Sequence, residues 1–247
     1  MPKFFVPKEN ILNDKIIICG EDVSHIKKVL RMSVGESLCL CDGMGKNYDA
    51  VIDSIEDKEI ICKIISSEMA DTEPRILVTL FQGIPKASKM DYIIQKTTEL
   101  GITKIVPVTM SRCVVKIENK KDAEKKQQRW QKIAEEAAKQ SGRGVIPIVD
   151  MPISFNEAVN RLKDADIGFA PYECEEKSGL KNVLTKNQNA KSISYIIGPE
   201  GGFDLDEIEK LKLSGIETVT LGKRILRTET AGMAVLAMIM YELGDIN

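Results

Sequence analysis

Ile196–Phe203, IIGPEGGF, is an apolar run that stops at Gly-Pro and passes into Glu and two glycines; further along, Leu221–Ala231, LGKRILRTETA, is a second apolar run ending in a loop dense with Arg, Thr and Glu. Each reads as a buried strand, a loop and the start of a helix. Open α/β sheets bind their ligands at such strand ends, so the pair reads as two loops lining one site. The fold class follows from what surrounds them.

Outward from this pair, strand and helix patterns alternate. Ile76–Phe81 is a strand, after which Ser88 is expected to cap a helix with Met90, Ile93, Ile94, Thr97 and Leu100 at helical spacing before Gly101 ends it. A strand over Ile105–Val108 precedes a longer helix over Asp122–Gln140, charged on one side with Trp130, Ile133 and Ala137 on the other. Then come a strand near Val145–Val149, a helix from Ser154 with Glu157 completing a capping box, and strands at Ile167–Ala170 and Ser194–Ile197. A helix capped by Asp204, a strand over Thr218–Leu221 and a last helix through Leu243 follow. Alternation of this length predicts an α/β domain with a mainly parallel sheet over residues 75–247.

Residues 1–70 carry a different period. Phe4–Val6, Lys15–Cys19, Ser37–Cys41, Tyr48–Ile52 and Ile60–Ile65 read as short strands between turns, which predicts a small β-barrel. Within it Asp22–Arg31 reads as one helix with Ile26, Val29 and Leu30 facing inward. The polar stretch Ala70–Pro74 is the expected linker.

Composition narrows the chemistry. The 247 residues are 43% apolar and 29% charged, as in ordinary globular proteins, and no apolar stretch is long enough to span a bilayer. The opening MPKFFVPKEN lacks a continuous apolar core, so the expected location is the cytoplasm, without membrane attachment. Six scattered cysteines form no Cys-x-x-Cys pair, and a lone histidine, His25, removes most zinc sites and any ordinary Ser-His or Cys-His nucleophile; no metal is expected. A formal charge of −2 means that any nucleic acid must be held by local basic patches.

The glycine-rich turn is neither a P-loop nor a dinucleotide fingerprint, because Phe203 follows Gly201-Gly202 and no G-x-G-x-x-G is present. Glu200 within it would repel phosphate, so the turn suits a neutral or cationic ligand gripped by exposed backbone. Taken alone, the turn is better read as a tight strand-to-helix connection using glycines for backbone freedom. The second loop shifts the balance, with Arg224, Arg227 and Glu229 set among apolar Leu221, Ile225 and Leu226, as in small-molecule pockets.

The pairing of IGPEGGF with LGKRILRTETA resembles the RsmE family of SPOUT methyltransferases, which use S-adenosyl-L-methionine to methylate N3 of a uridine in small-subunit (16S) ribosomal RNA. Phe4–Val6, His25–Arg31 (HIKKVLR), Gln95–Gly101 (QKTTELG), Gln140–Arg143 and Thr228–Ala231 match family blocks in the same order over nearly the whole chain. One departure is Ser111-Arg112-Cys113, where the family more often has Glu-Arg-Ser.

The resemblance implies a PUA-like RNA-binding barrel over 1–70 and a SPOUT methyltransferase domain over 75–247. The latter would carry a deep trefoil knot and hold the cofactor against a homodimer interface. By position, it implies cofactor binding by Gly198, Pro199, Glu200, Gly201 and Gly202 in one loop and Leu221, Gly222, Ile225, Leu226, Arg227 and Ala231 in the other. A cationic sulfonium tolerates acidic neighbours such as Glu200 or Glu229, and needs no metal. Arginine stays protonated, so Arg227 is expected to stabilise charge on the uracil carbonyls while Glu229 or a water takes the N3 proton.

His25, Lys27, Lys28 and Arg31, with Lys89, Arg112 and Arg143, are the expected RNA contacts. Their bland alternative is a solvated surface. The implied partner is ribosomal RNA within the assembled small subunit. Two alternatives are a SPOUT enzyme acting on a ribose 2′-hydroxyl and a catalytically inactive RNA-binding assembly factor.

Overall fold

The computed structural model describes residues 3–246. The chain divides into two compact units: residues up to Glu73 together with Ala138–Ile146, and Pro74–Ala137 together with the residues from Pro147 onward.

The first unit is a five-stranded sheet. Strands β1 (Lys3–Phe5), β2 (Lys15–Cys19), β3 (Ser37–Cys41), β4 (Lys46–Ile55) and β5 (Glu59–Met69) are ordered β1-β3-β4-β5-β2. Strands β4 and β5 are longer than the apolar alternation predicts. Ser66–Met69 are exposed yet pair with Lys46–Asp49, because a backbone ladder continues past the point where side chains stop being buried. Phe4, Ile16, Ile18, Leu38, Leu40, Ile52 and Ile60 fill its core.

The expected helix over Asp22–Arg31 is two elements. A single α-turn, α1 (Glu21–Ser24), runs into a π-helical segment, His25–Leu30, that closes with Arg31 in the left-handed region at φ 53°. The wider π turn advances the side chains out of α-helical phase. Ile26 stays fully buried, whereas Val29 is 67% exposed and Leu30 also faces solvent, so the inward face expected of those two is corrected.

Residues 138–146 belong to this unit although the sequence suggests one continuous second domain from residue 75. Gly144 explains the attachment. Its carbonyl accepts from the Gly45 N–H at 3.0 Å and the Cys41 thiol at 3.1 Å, and its own N–H donates to Glu73 at 2.8 Å. Lys3 adds a bond to the Gly142 carbonyl. None of this has an apolar period for a sequence reading to detect.

The second unit is a seven-stranded, wholly parallel sheet. Strands β6 (Leu77–Gly83), β7 (Lys104–Thr109), β8 (Ile148–Val149), β9 (Ile153–Ser154), β10 (Ile167–Pro171), β11 (Ser192–Ile197) and β12 (Glu217–Val219) run in the order β12-β10-β11-β6-β7-β8, with β9 continuing the edge beside β7. The pleat of each strand sends alternate side chains to opposite faces of the sheet. On β11, Ile193, Tyr195 and Ile197 join one core while Ile196 joins the other.

One face packs α2 (Lys89–Glu99), α3 (Lys120–Gln140), α5 (Leu180–Lys186) and α7 (Thr228–Glu242); the other packs α4 (Phe155–Leu162) and α6 (Leu205–Leu213). Capping departs from expectation at two ends. Ser88 makes no side-chain cap, and Ser154 accepts from the Glu157 N–H while the Glu157 carboxylate turns to Arg161. Asp204 and Glu207 form the complete capping box instead.

Candidate active site

Because every strand of the second sheet is parallel, all its C-terminal ends lie along one edge, and the loops leaving β6, β7, β10, β11 and β12 converge there. The loops leaving β10, β11 and β12, with Lys89 at the start of α2, line a cavity of about 1040 Å³. Gly198–Phe203, after β11, forms one wall and Thr220–Thr228, after β12, another, with Ala231 from the first turn of α7. The cavity thus brings together Gly198, Pro199, Glu200, Gly201, Gly202, Leu221, Gly222, Ile225, Leu226, Arg227 and Ala231. Ile225 lines it while remaining 85% exposed, at the rim.

The glycines are required by close approach. A Cβ on Gly198 would stand 3.1 Å from the Gly202 backbone, and one on Gly202, whose φ is +68°, would stand 2.9 Å from a Glu173 carboxylate oxygen. Gly201 faces Arg112 across 3.0 Å in the same way. The loop is folded against itself and its neighbours, leaving its inner backbone toward the cavity.

A third wall is absent from the sequence reading. Tyr172–Glu176, after β10, contributes Tyr172, Glu173, Glu175 and Glu176. The available signal is the string PYECEE directly after a strand, acid-rich where a solvated turn needs no such density. Glu175 is committed to structure: the Thr218 hydroxyl and then the Lys177 N–H, with desolvation opposing and the Ser178 N–H adding, hold its carboxyl down at about 2.

The charged residues are placed as follows. Lys89, at the start of α2, lies 3.2 Å from Glu200 and 3.3 Å from Glu229 and ties the two loops together. Its ammonium is held above the ordinary lysine value chiefly by Glu200, with desolvation opposing and Glu229 adding. For Glu200 desolvation is the largest influence and pushes the carboxyl up, but hydrogen bonds from its own N–H and that of Lys86, with the Lys89 ammonium, leave it below the usual carboxylate value. Glu229 Oε2 is screened from solvent with no aligned hydrogen bond; the Lys89 ammonium is a charge contact. Arg227 is the N-cap of α7 with its side chain exposed.

Two expected RNA contacts are engaged within the protein. Arg112 donates to the Gly201 carbonyl at 2.9 Å and pairs with Asp204 at 3.4 Å, so it braces the glycine-rich loop. Arg143 is 4% exposed and donates to Glu73 at 2.6 Å; with its guanidinium in the interior, it is a clamp on the linker rather than a surface contact. Burial pushes the Glu73 carboxyl up, but Arg143 and the N–H groups of Val145 and Gly144 outweigh it and leave the acid below its usual value.

In the π-helical segment Lys27 donates to the Glu56 carbonyl and lies 3.5 Å from Asp57, while His25, Lys28 and Arg31 stay exposed. His25 also meets the Phe4 ring edge-on at 5.9 Å. Among the described residues no cluster of His, Cys, Asp and Glu is suited to a metal ion, and no helix is long and apolar enough to cross a membrane.

Comparison with known proteins agrees with this geometry. Residues 72–240 match the model of an RNA methyltransferase domain, and residues 18–65 that of an RNA methyltransferase PUA domain. Ribosomal RNA small subunit methyltransferase E of Bacillus subtilis is 37% identical over 229 residues, covering 91% of this chain and 89% of the relative. The chain belongs to the ribosomal RNA small subunit methyltransferase E family. A second family member, from Mesomycoplasma hyopneumoniae, is 32% identical and covers 96% of this chain and 97% of its own. The crystal structure of methyltransferase E from Neisseria gonorrhoeae bound to S-adenosyl methionine superposes with a TM-score of 0.89 at 32% identity over 100% of both chains. The loops that the sequence singles out are thus in a methyltransferase E family fold, at the converging strand ends.

Proposed function

We propose that this protein is an S-adenosyl-L-methionine-dependent methyltransferase acting on N3 of a uridine in small-subunit ribosomal RNA. The observation that carries the reading is the single cavity in which the Gly198–Gly202 loop and the Leu221–Ala231 loop meet, inside a chain of the methyltransferase E family.

The donor set fits the cofactor. Inner backbone groups and the apolar side chains of Leu221 and Leu226 suit an adenine, and Glu173, Glu176 and Glu200 on the lining offer carboxylates that a sulfonium tolerates, with Lys223, Arg224 and Arg227 on the wall after β12. Bound there, S-adenosyl-L-methionine supplies a methyl group on a sulfonium, which leaves as a neutral thioether. The protein's residues do the rest by position. The loops would hold the reacting atoms near the separation from which methyl transfer proceeds, in general about 3–3.5 Å. Arg227, at the positive N-terminus of α7, stabilises negative charge developing on the uracil carbonyls. Glu229, two residues on, or a water beside it receives the proton that leaves N3 as the N–C bond forms.

The same reading includes RNA docking through His25, Lys28 and Arg31 on the N-terminal unit, closure of its sheet into a PUA-like barrel, a trefoil knot, a homodimer, a cytoplasmic location and the assembled small subunit as substrate. The β-bulges in the β4–β5 pair, which bend a sheet, support closure. The strand order that inserts β11 between β6 and β10 and returns β12 beyond β10 supports the knot.

Incubation with labelled cofactor and unmodified small subunits, followed by digestion and mass spectrometry of the nucleosides, tests the reading. N3-methyluridine is the expected product. A ribose-methylated nucleoside would replace it with a 2′-hydroxyl methyltransferase, and RNA binding without label transfer would make the protein an assembly factor.

A further inference from the structure

Gln82 is a polar side chain at the end of β6, inside an otherwise apolar run, and it is completely buried. Its Nε2 donates to the Gly83 carbonyl at 3.0 Å and to the Thr228 hydroxyl at 2.9 Å. Thr228, itself buried, donates its hydroxyl proton to the Gly198 carbonyl at 2.7 Å. The directions are forced, since the hydroxyl has one proton and the carbonyl can only accept. A three-member relay therefore runs from the central strand, through the first residue of α7, to the first residue of the glycine-rich loop.

We propose that Gln82 and Thr228 are positioning residues that register the two cavity loops against each other, and so set both the cofactor-binding backbone at Gly198 and the direction in which Arg227 and Glu229 enter the site. Thr228 lies between those two residues in sequence, so a shift of its hydroxyl moves both. Burying an amide is costly unless its bonds are made, and Gln82 leaves Oε1 without a hydrogen-bond partner, which a simple packing role would not require. An apolar side chain would fill the same volume without that loss. What the glutamine adds is direction: a donor aimed at Thr228.

A second buried bond to the same helix provides the control. Tyr195, fully buried on β11, donates to the Gly232 carbonyl at 2.9 Å, one turn further into α7, so its bond ends on the helix and not on the glycine-rich loop. If these bonds merely fastened the helix, losing either would have the same effect. On the positioning assignment they differ, because only the Gln82–Thr228 relay ends on the cofactor loop.

This inference rests on the cofactor reading above. Cofactor affinity by calorimetry, thermal melting and turnover are measured for Thr228→Val, Thr228→Ser, Gln82→Met and Tyr195→Phe, with the double variant Gln82→Met/Thr228→Val. Removing the hydroxyl at Thr228 strands a buried carbonyl, and the expected weakening is about tenfold in cofactor binding with a further fall in kcat. Thr228→Ser should restore both to within about threefold, and the double variant should be no worse than Thr228→Val, as members of one relay are non-additive. Tyr195→Phe should melt earlier and bind the cofactor within about threefold of the parent.

A Thr228→Val protein that melts earlier yet binds like the parent would overturn the proposal. So would equal weakening by Tyr195→Phe, or additive losses in the double variant. If Thr228→Val does not fold, the contrast between Gln82→Met and Tyr195→Phe decides on the same criteria. Failure of the unmodified protein to bind the cofactor would instead remove the underlying functional reading, and this inference with it.

Discussion

Arg227, the N-cap of α7, and Glu229, in its first turn, have different surroundings, which separates their expected effects from those of the loops proposed to hold the cofactor. Arg227 is exposed, and its proposed contribution would be made only with a uracil present, whereas Glu229 is half-buried and shares Lys89 with Glu200. Substituting either one changes a side chain and leaves the backbone groups of the two loops in place. Arg227→Ala is therefore expected to lower kcat by about 10²–10³ and Glu229→Gln by about 10²–10⁴ with cofactor affinity largely kept. Turnover on small subunits and calorimetry on the free protein check this pair. Unchanged turnover in both variants would remove the assigned roles. Lys89 illustrates why such roles need the structure: as a letter in the sequence it is a candidate RNA contact, and in space it pairs with one carboxylate from each of the two loops.

At the scale of elements, the glycine-rich loop is held from below by the end of β6. A Cβ on Gly83 would stand 2.7 Å from the Pro199 nitrogen and 2.7 Å from the Met110 sulfur. The methionine end can move; the proline backbone moves only with the whole loop. Gly83→Ala is accordingly expected to cost about 1–3 kcal/mol of stability, the range for overpacking, and to weaken cofactor binding at the same time. Melting and calorimetry measure the two effects, and a protein that melts and binds like the parent would show that strand and loop are not rigidly joined. What the sequence made legible divides along the same line. The strand–helix alternation, the two cavity loops and the change of period near Ala70 leave local apolar patterns, and all could be read. The attachment of residues 138–146 to the N-terminal unit, the Arg112 brace and the Gln82 relay are polar contacts between distant segments, with no spacing rule to announce them. The π-helical phase at His25–Leu30 escapes a sequence reading for another reason: its composition suits an ordinary α-helix, and the difference is a one-residue shift in the carbonyl that each backbone N–H meets.

For the whole molecule, α7 is the element whose burial within one chain is incomplete. Ala231–Tyr241, AGMAVLAMIMY, contains no charged residue and hence no polar face for solvent. Val235, Leu236, Ile239 and Met240 enter the core, but Met238 is 41% and Tyr241 71% exposed, and Tyr92 is exposed on α2, the helix that packs beside α7. A second copy of the same chain, meeting this face about a two-fold axis, would place like against like and needs no complementary charge. Light scattering or sedimentation should find a dimer. Met238→Glu combined with Tyr241→Glu should give a folded monomer, because both positions face away from the core and each carboxylate would be stranded in the interface. Since α7 begins at the cavity, the monomer should also bind the cofactor more weakly. A dimer that survives both charges would place the interface elsewhere, and a parent protein that is monomeric at all concentrations would leave the apolar face of α7 to another partner.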